Sequence, residues 1–180
     1  MRALFQTAAW MLWLAASGPA RGEPVDRILY VVDDRLVTSS DLVLEQVLSE
    51  HDPGPIHRLR GPEPDLEVIL VDMAVVRALA GDVALYHPTE RAVRERLESV
   101  RSSWVDPAGY QRFLATTGLD EPELSGILFS RMVVEQYLLR SLGTDSSSSS
   151  EAKDRYSDWI REKRRSAKIR AVEELPPPAR

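Results

Sequence analysis

Residues 65–80 read DLEVILVDMAVVRALA and are followed by Gly81. Apolar side chains recur at helical spacing on one face of this stretch and cover much of a second face, and only four of its positions are charged. A helix that is apolar around most of its circumference has to be enclosed by other elements. The stretch is also too short, and too often interrupted by charge, to span a bilayer. It therefore predicts a central core helix that Gly81 ends.

The N-terminal segment has the pattern of an export signal. It begins MRALFQTAAWMLWLAASGPARG, in which Arg2 precedes an uncharged apolar run from Leu4 to Ala16, and small residues follow that run. The apolar run is shorter than a membrane span requires. We therefore assign residues 1–22 to a cleaved signal peptide, and an uncleaved membrane anchor is the alternative.

Composition limits the classes of function that the remaining chain can have. Without Arg2 and Arg21 it carries 21 basic and 28 acidic side chains, a net charge of −7, and this argues against a general nucleic-acid binder. The absence of cysteine excludes disulfides, thiol catalysis and cysteine-based zinc sites. The chain is long enough to bury one compact core.

The segment before the central helix predicts two strands, a helix and a loop. The β-branched and aromatic run Val25–Val32, a turn at Asp33-Asp34 and residues 35–38 predict a hairpin. Thr38 with Asp41 forms a capping-box pattern, which starts a helix that ends near Glu50.

Residues 51–64, HDPGPIHRLRGPEP, contain four prolines and two glycines and predict a stiff loop. His51 and His57 lie in this loop, near Asp52 and Glu63. No element sets their spacing for a metal ion, so we expect solvent-exposed histidines rather than a metal site.

The segment after the central helix predicts three helices. A surface helix beginning near Thr89 carries one apolar stripe, formed by Val93, Leu97, Val100 and Trp104. Asp106-Pro107 starts a short helix that Gly118 stops, and Asp120 starts a long one that runs to Leu142 and ends at Gly143.

The C-terminal part predicts a linker, a helix and a strand. Residues 144–150, TDSSSSS, form a low-complexity linker. Residues 151–165 predict a helix whose acidic residues lie near its start and whose basic residues lie near its end. This order suits the helix dipole. Residues 167–172 predict a final strand, and residues 174–180 a disordered tail. The expected fold is mainly helical with a small antiparallel sheet.

Few residues in the sequence are suited to catalysis. Glu121 and Glu123 are explained as acids of a helix start, and the basic cluster 161–170 as a solvated face. We find no phosphate-binding loop, no supported nucleophile–base set and no metal cluster in the sequence. The residues therefore favour a binding module that needs no cofactor and no metal.

Five segments together resemble the periplasmic SurA-type chaperones, which are relatives of the parvulin-containing foldases. Each segment is degenerate alone, and their shared order makes the match more specific. The segments are VDRILYVVDDRLVTSSDL, LYHPTERAVRERL, YQRFLATTGLDEPEL, RMVVEQYLL and WIREKRRSAKIRAV. The resemblance implies a chaperone domain over residues 23–143 and a C-terminal helix and strand, residues 151–173, that fold back to complete it.

One departure from the family affects the activity that the resemblance implies. In full-length relatives, one or two parvulin domains lie where this chain has only TDSSSSS. The parvulin active site has no counterpart here, so we expect no prolyl isomerase activity. The final strand is expected to join the N-terminal hairpin in one sheet, as it does in the family.

The resemblance implies ATP-independent holding of unfolded exported polypeptides in the periplasm, with outer-membrane proteins as clients. Clients would contact exposed apolar and aromatic side chains in a cleft. The candidates for this contact are Trp104, Tyr110, Phe113, Phe129 and Trp159, and ordinary core packing is the alternative for each of them.

Three other expectations concern partners and competing functions. Exchange of the C-terminal helix between two copies would give a homodimer, whereas nucleic-acid binding and stable membrane insertion are not expected. The competing function is a structural or assembly partner that docks on one specific envelope protein. An enzyme with a cleft around His87 is a third class.

Overall fold

A computed structural model describes residues 26–61, 64–143 and 150–172. The predicted signal peptide, residues 144–149 of the predicted linker and the tail from residue 174 lie outside the described residues. Ser150, which we assigned to the linker, is the first residue of a helix. The protein is mainly helical with a small three-stranded antiparallel sheet, and this confirms the expected fold class.

The described elements follow the predicted order closely. The strands are β1 (Ile28–Val32), β2 (Arg35–Thr38) and β3 (Ile169–Ala171). The helices are α1 (Ser39–His51), α2 (Pro55–Arg60), α3 (Leu66–Ala80), α4 (Glu90–Ser102), α5 (Pro107–Thr117), α6 (Glu121–Leu142) and α7 (Ser150–Ser166). A single 3-10 turn, Ala84–Tyr86, lies between α3 and α4.

The sheet joins the two ends of the described chain. Its strand order is β2-β1-β3, and β1 is antiparallel to both neighbours. Asp33 turns the hairpin with a φ of 54°, and its carboxylate accepts a hydrogen bond of 3.0 Å from the backbone of Lys168. The expected pairing of the last strand with the hairpin is thus confirmed, although β3 is shorter than the predicted 167–172.

Helix α3 is the central core helix that the sequence predicts. The Asp65 carboxylate accepts a hydrogen bond from the backbone of Glu67 at its start, and Gly81 ends it with a φ of 55°. Five of its buried apolar side chains belong to a core cluster that also takes in the sheet, α2, the C-terminal half of α6, and α7. A second cluster, built from α1, α4, α5 and the N-terminal half of α6, lies beside the first. The long helix α6 contributes to both.

The prediction of a loop over 51–64 is wrong in its middle, because Pro55–Arg60 form helix α2. Pro55 is compatible with the first turn of a helix, where its missing N–H would have no partner in any case. Ile56 and Leu59 are buried in the first core cluster. Tertiary burial therefore stabilises a helix too short to form from its own propensity.

The carboxylate of Asp72 joins α2 and α7 to the middle of α3. Asp72 is fully buried, and its oxygens accept hydrogen bonds from Arg60 at 2.5 and 2.8 Å. From α7, Arg164 donates at 2.6 Å and the Tyr156 hydroxyl donates at 2.7 Å. Burial and the adjacent Asp72 charge raise the pKa of Tyr156, so this hydroxyl keeps the proton that it donates.

A second buried ionic cluster joins α6 to α1 and α2. Arg131 is 5% exposed, and it donates to the Glu45 carboxylate at 2.5 Å and to the Asp52 carbonyl at 2.7 Å. The Nε2 atom of His57 lies 2.6 Å from the other Glu45 oxygen. The expectation that His57 is solvent-exposed is therefore wrong, because its ring closes this cluster.

Candidate binding surface

Two of the five candidate contact residues lie in the core. Tyr110 is 1% exposed and Phe113 is 5% exposed, and both belong to the second core cluster. The apolar face of α5 is turned towards α1, α4 and α6, so these rings fill the interior rather than a cleft. The structure thus corrects the expectation that Tyr110 and Phe113 contact a client.

Trp104 is half-buried and packs on the same cluster. Its ring stacks on His51 with centroids 3.8 Å apart, and on Phe113 at 5.6 Å. The Nδ1 atom of His51 lies 2.9 Å from the Ser103 hydroxyl, so His51 is not a free loop histidine as expected. These contacts give Trp104 a packing role between the end of α4 and α5, and part of its side chain stays exposed.

Phe129 and Trp159 are half-buried and belong to an aromatic row along α6. The row consists of His87, Phe129, Tyr86, Tyr137 and Trp159. The His87 and Phe129 rings meet edge to face at 5.3 Å, and Tyr86 meets Tyr137 at 5.1 Å. Tyr137 then lies 6.3 Å from Trp159 of α7. The row therefore brings together side chains from the 3-10 turn, α6 and α7.

Sequence reasoning missed three members of this row. Phe129 and Tyr137 are eight residues apart, so they lie on roughly the same side of α6, and this spacing was a signal for Tyr137. Tyr86 and His87 gave no periodic signal, since they lie in the short segment before Pro88. Only the tertiary packing of that segment against α6 places them in the row.

Beside the row lies the apolar segment, residues 79–85, which exposes three large aliphatic side chains. Leu79 is 41% exposed, Val83 50% and Leu85 57%. The segment runs from the last turn of α3 through the 3-10 turn and leads directly into Tyr86 of the row. Concentrated apolar exposure of this kind marks a site of interaction more often than isolated surface residues do.

A groove between α4 and α6 extends this surface beyond Phe129. It encloses about 390 Å³. Its apolar lining comes from Pro88, Val93 and Phe129, and Glu90 and Arg94 are exposed at its rim. Ser125 and Gly126 of α6 complete the lining. The groove is open to solvent and large enough to receive a side chain from another molecule.

The described residues offer little to hold a metal ion. Within them, no group of three or more His, Asp or Glu side chains is arranged to bind one. His87, around which an enzyme site was considered, is exposed and contacts the ring of Phe129.

Comparison with models of known protein families gives no match, and no curated protein matches the sequence significantly. None of the helices described here combines the length and the apolar character needed to cross a membrane.

Proposed function

We propose that this protein holds unfolded, extended polypeptides by apolar contact and without nucleotide. The observation that carries this proposal is the apolar segment beside the aromatic row, where three aliphatic side chains are at least 41% exposed. An extended chain lying along α6 would bury these side chains and the free faces of the half-buried rings. Aromatic and aliphatic groups suit this purpose because they can contact many kinds of client side chain and do not require one particular client sequence.

The half-buried and the exposed parts of such a contact have different roles. The row is anchored because Tyr137 and Trp159 pack against the first core cluster, so it offers a surface that costs little entropy to present. The aliphatic side chains of the apolar segment are largely exposed, so they can adopt different rotamers against different clients. The main-chain groups of a bound client would remain solvated, and the contact would be reversible.

The resemblance to SurA-type chaperones supports the choice of client class. Under this proposal the clients are exported polypeptides in the periplasm, and outer-membrane proteins are the first to test. Prolyl isomerase activity forms no part of the proposal. The competing function, docking on one specific envelope protein, would use the same surface and differs in how many partners it accepts.

Suppression of aggregation tests the proposal directly. Purified residues 23–180 would be mixed with an outer-membrane protein diluted from urea, and light scattering would be followed against dose without nucleotide. We expect suppression near stoichiometric amounts. A folded sample that suppresses nothing would overturn general holding, and a single protein captured from an envelope extract would then favour the docking function.

Replacing Leu79, Val83 and Leu85 together with serine should weaken holding. Their contact with a client is worth on the order of 1–3 kcal/mol in total once their remaining exposure is discounted. The dose needed for half-suppression should therefore rise by about ten-fold. Because these side chains are largely solvated in the free protein, the free energy of unfolding should change by less than about 1 kcal/mol.

Two aliphatic residues elsewhere on the surface provide matched controls. Val105 is fully exposed between α4 and α5, and Leu36 is 55% exposed on β2. Serine at both positions removes a comparable amount of exposed apolar surface away from α6, so suppression should stay at the wild-type dose. If both variants lost activity equally, holding would depend on overall surface hydrophobicity and not on this segment.

A further inference from the structure

Strand β3 forms one edge of the sheet, and no strand of the described chain lies on its outer side. It is the last strand in the order β2-β1-β3. On the side of β1, the Asp33 N–H donates to the Lys168 carbonyl at 2.9 Å, and the Val172 N–H donates to a β1 carbonyl at 2.9 Å. The main-chain groups of successive residues in an antiparallel strand point alternately to its two sides. The N–H and C=O groups of Ile169 and Ala171 therefore point away from β1.

This outer edge of β3 is accessible to another chain. Arg170 and Ala171 are exposed, and Ile169 is half-buried with its side chain packed against the first core cluster. An exposed strand edge is a template for pairing with a further strand. When such an edge binds an extended peptide, main-chain hydrogen bonds provide affinity and alternate side chains provide specificity. The side chains of β3 therefore indicate which kind of segment fits.

Two cations lie on the face of β3 that is turned away from the core. Lys168 and Arg170 are exposed, and neither forms an ion pair with another described residue. They alternate with Ile169, whose side chain lies on the core side, and Arg170 is paired with Val31 of β1. The Asp33 carboxylate contacts the Lys168 backbone, but it lies in the hairpin turn on the β1 side. The outer edge of β3 therefore carries a positive charge.

We propose that β3 accepts, as a further antiparallel strand, an extended polypeptide segment in which acidic and apolar residues alternate. Its carboxylates would lie beside Lys168 and Arg170, and opposite charges on neighbouring strands stabilise a sheet. Its apolar residues would lie on the core side of the sheet, beside Ile169 and Ala171. The inference goes beyond the proposed function, because it uses neither the apolar segment nor the aromatic row.

A second copy of this chain fits the edge less well than an acidic segment. Antiparallel pairing of two β3 strands centred on Arg170 would place the two Arg170 side chains opposite each other. Pairing centred on Ile169 would place Arg170 opposite the Lys168 of the second copy. Like charges directly opposite destabilise a sheet. Pairing centred on Ala171 avoids this repulsion but brings no acid of the described residues to either cation, so the charge pattern favours a different, acidic partner.

Peptides of opposite charge test the chemistry of the partner. Purified residues 23–180, which include Glu173 and Glu174 after β3, would be titrated into a dye-labelled peptide that alternates valine and glutamate. Fluorescence anisotropy would report the affinity. A peptide with lysine in place of glutamate should bind about ten-fold more weakly or worse, because its charges repel Lys168 and Arg170. The affinity for the glutamate peptide should also fall as the salt concentration rises.

Methylation of the peptide backbone separates strand pairing from charge attraction. In the added strand, the valine N–H groups would point towards β3 and the glutamate N–H groups would point to solvent. N-methylation of the valines should therefore weaken binding about ten-fold or more, and N-methylation of the glutamates should leave it near the unmodified value. In the protein, Ala171→Pro removes one outward N–H and no hydrogen bond to β1, so it should weaken binding about five-fold.

A matched pair of charge reversals places the contact on the edge of β3. Arg170→Glu should remove the preference for the glutamate peptide, whereas Arg140→Glu, an equal change at an exposed position of α6, should leave it intact. If Ala171→Pro does not fold, the two methylated peptides decide the question with the wild type alone.

Three results would overturn the inference. The first is a wild type that does not bind the glutamate peptide, or that binds the lysine peptide equally well. The second is equal binding of the two methylated peptides, because charge attraction without strand pairing would then explain the contact. The third is a wild-type dimer in sedimentation velocity that Ala171→Pro dissociates, since this edge would then belong to a second copy of the chain.

Discussion

Replacing Asp72 with alanine is expected to lower the free energy of unfolding by about 3–5 kcal/mol. Asp72 is fully buried and accepts hydrogen bonds from Arg60, Arg164 and Tyr156. Its removal leaves two partly buried guanidinium groups without their counter-charge and one buried hydroxyl without its acceptor. Urea denaturation followed by tryptophan fluorescence measures the loss.

The same substitution should disturb the candidate binding surface, because two of the four hydrogen bonds that the Asp72 carboxylate accepts come from α7. Trp159 lies on that helix and closes the aromatic row against Tyr137. We therefore expect the amides of α7 to exchange with deuterium sooner than those of α3 in Asp72→Ala. Uniform loss of protection would instead show that α7 and α3 unfold as one unit.

Asp82→Ala is the matched control for this prediction. The Asp82 side chain is 93% exposed and lies 3.5 Å from Arg77. An exposed ion pair of this kind contributes little, so the free energy of unfolding should change by less than about 0.5 kcal/mol. Asp72→Asn keeps the shape of the side chain, so its loss in the free energy of unfolding should lie between those of Asp72→Ala and Asp82→Ala. A loss below about 1 kcal/mol for Asp72→Ala would contradict a structural role for the buried carboxylate.

The elements that the sequence predicts well are those whose ends are set by local chemistry. Thr38 and Asp120 cap their helices through a side chain that bonds the backbone three residues on, and Gly118 ends α5 with a φ of 69°. Such contacts depend only on neighbouring residues, so they can be recognised in the sequence. Helix α2 depends on burial against distant elements, and the prolines and glycines in and around it indicated a loop.

The binding surface was predictable only in part, for the same reason. Aromatic residues could be recognised as candidates, but their burial is decided by which helix faces meet. Tyr110 and Phe113 point into the second core cluster. Phe129 and Trp159 stay half-buried, because the 3-10 turn and α7 cover that side of the core incompletely. Asp72 illustrates the same limit, since a single acid in an apolar helix did not reveal its three partners.

Replacing Arg131 with methionine is the second prediction with a large effect, and it tests the other buried ionic cluster. Methionine keeps most of the side-chain volume and removes the charge, so the change isolates electrostatics from packing. Glu45, 3% exposed, would lose its Arg131 partner, and Asp52, 5% exposed, would keep only Arg96, whose Nε atom lies 2.5 Å from its carboxylate. We expect the free energy of unfolding at neutral pH to fall by about 3–5 kcal/mol. Arg140→Met on the exposed side of α6 should cost less than about 0.5 kcal/mol.

The pH dependence of this loss tests the part that the Glu45 carboxylate plays in it. Burial alone would raise the pKa of Glu45, but the His57 hydrogen bond and the Arg131 charge outweigh it and hold the pKa below its ordinary value of 4.5. A carboxylate with a lowered pKa stabilises the fold above that ordinary value, and the contribution is lost as the pH falls through the folded-state pKa. The difference between wild type and Arg131→Met, measured by urea denaturation, should therefore be largest near neutral pH and narrow below about pH 4.5. A difference that stays constant down to pH 3 would show that Arg131 acts through packing and not through its charge.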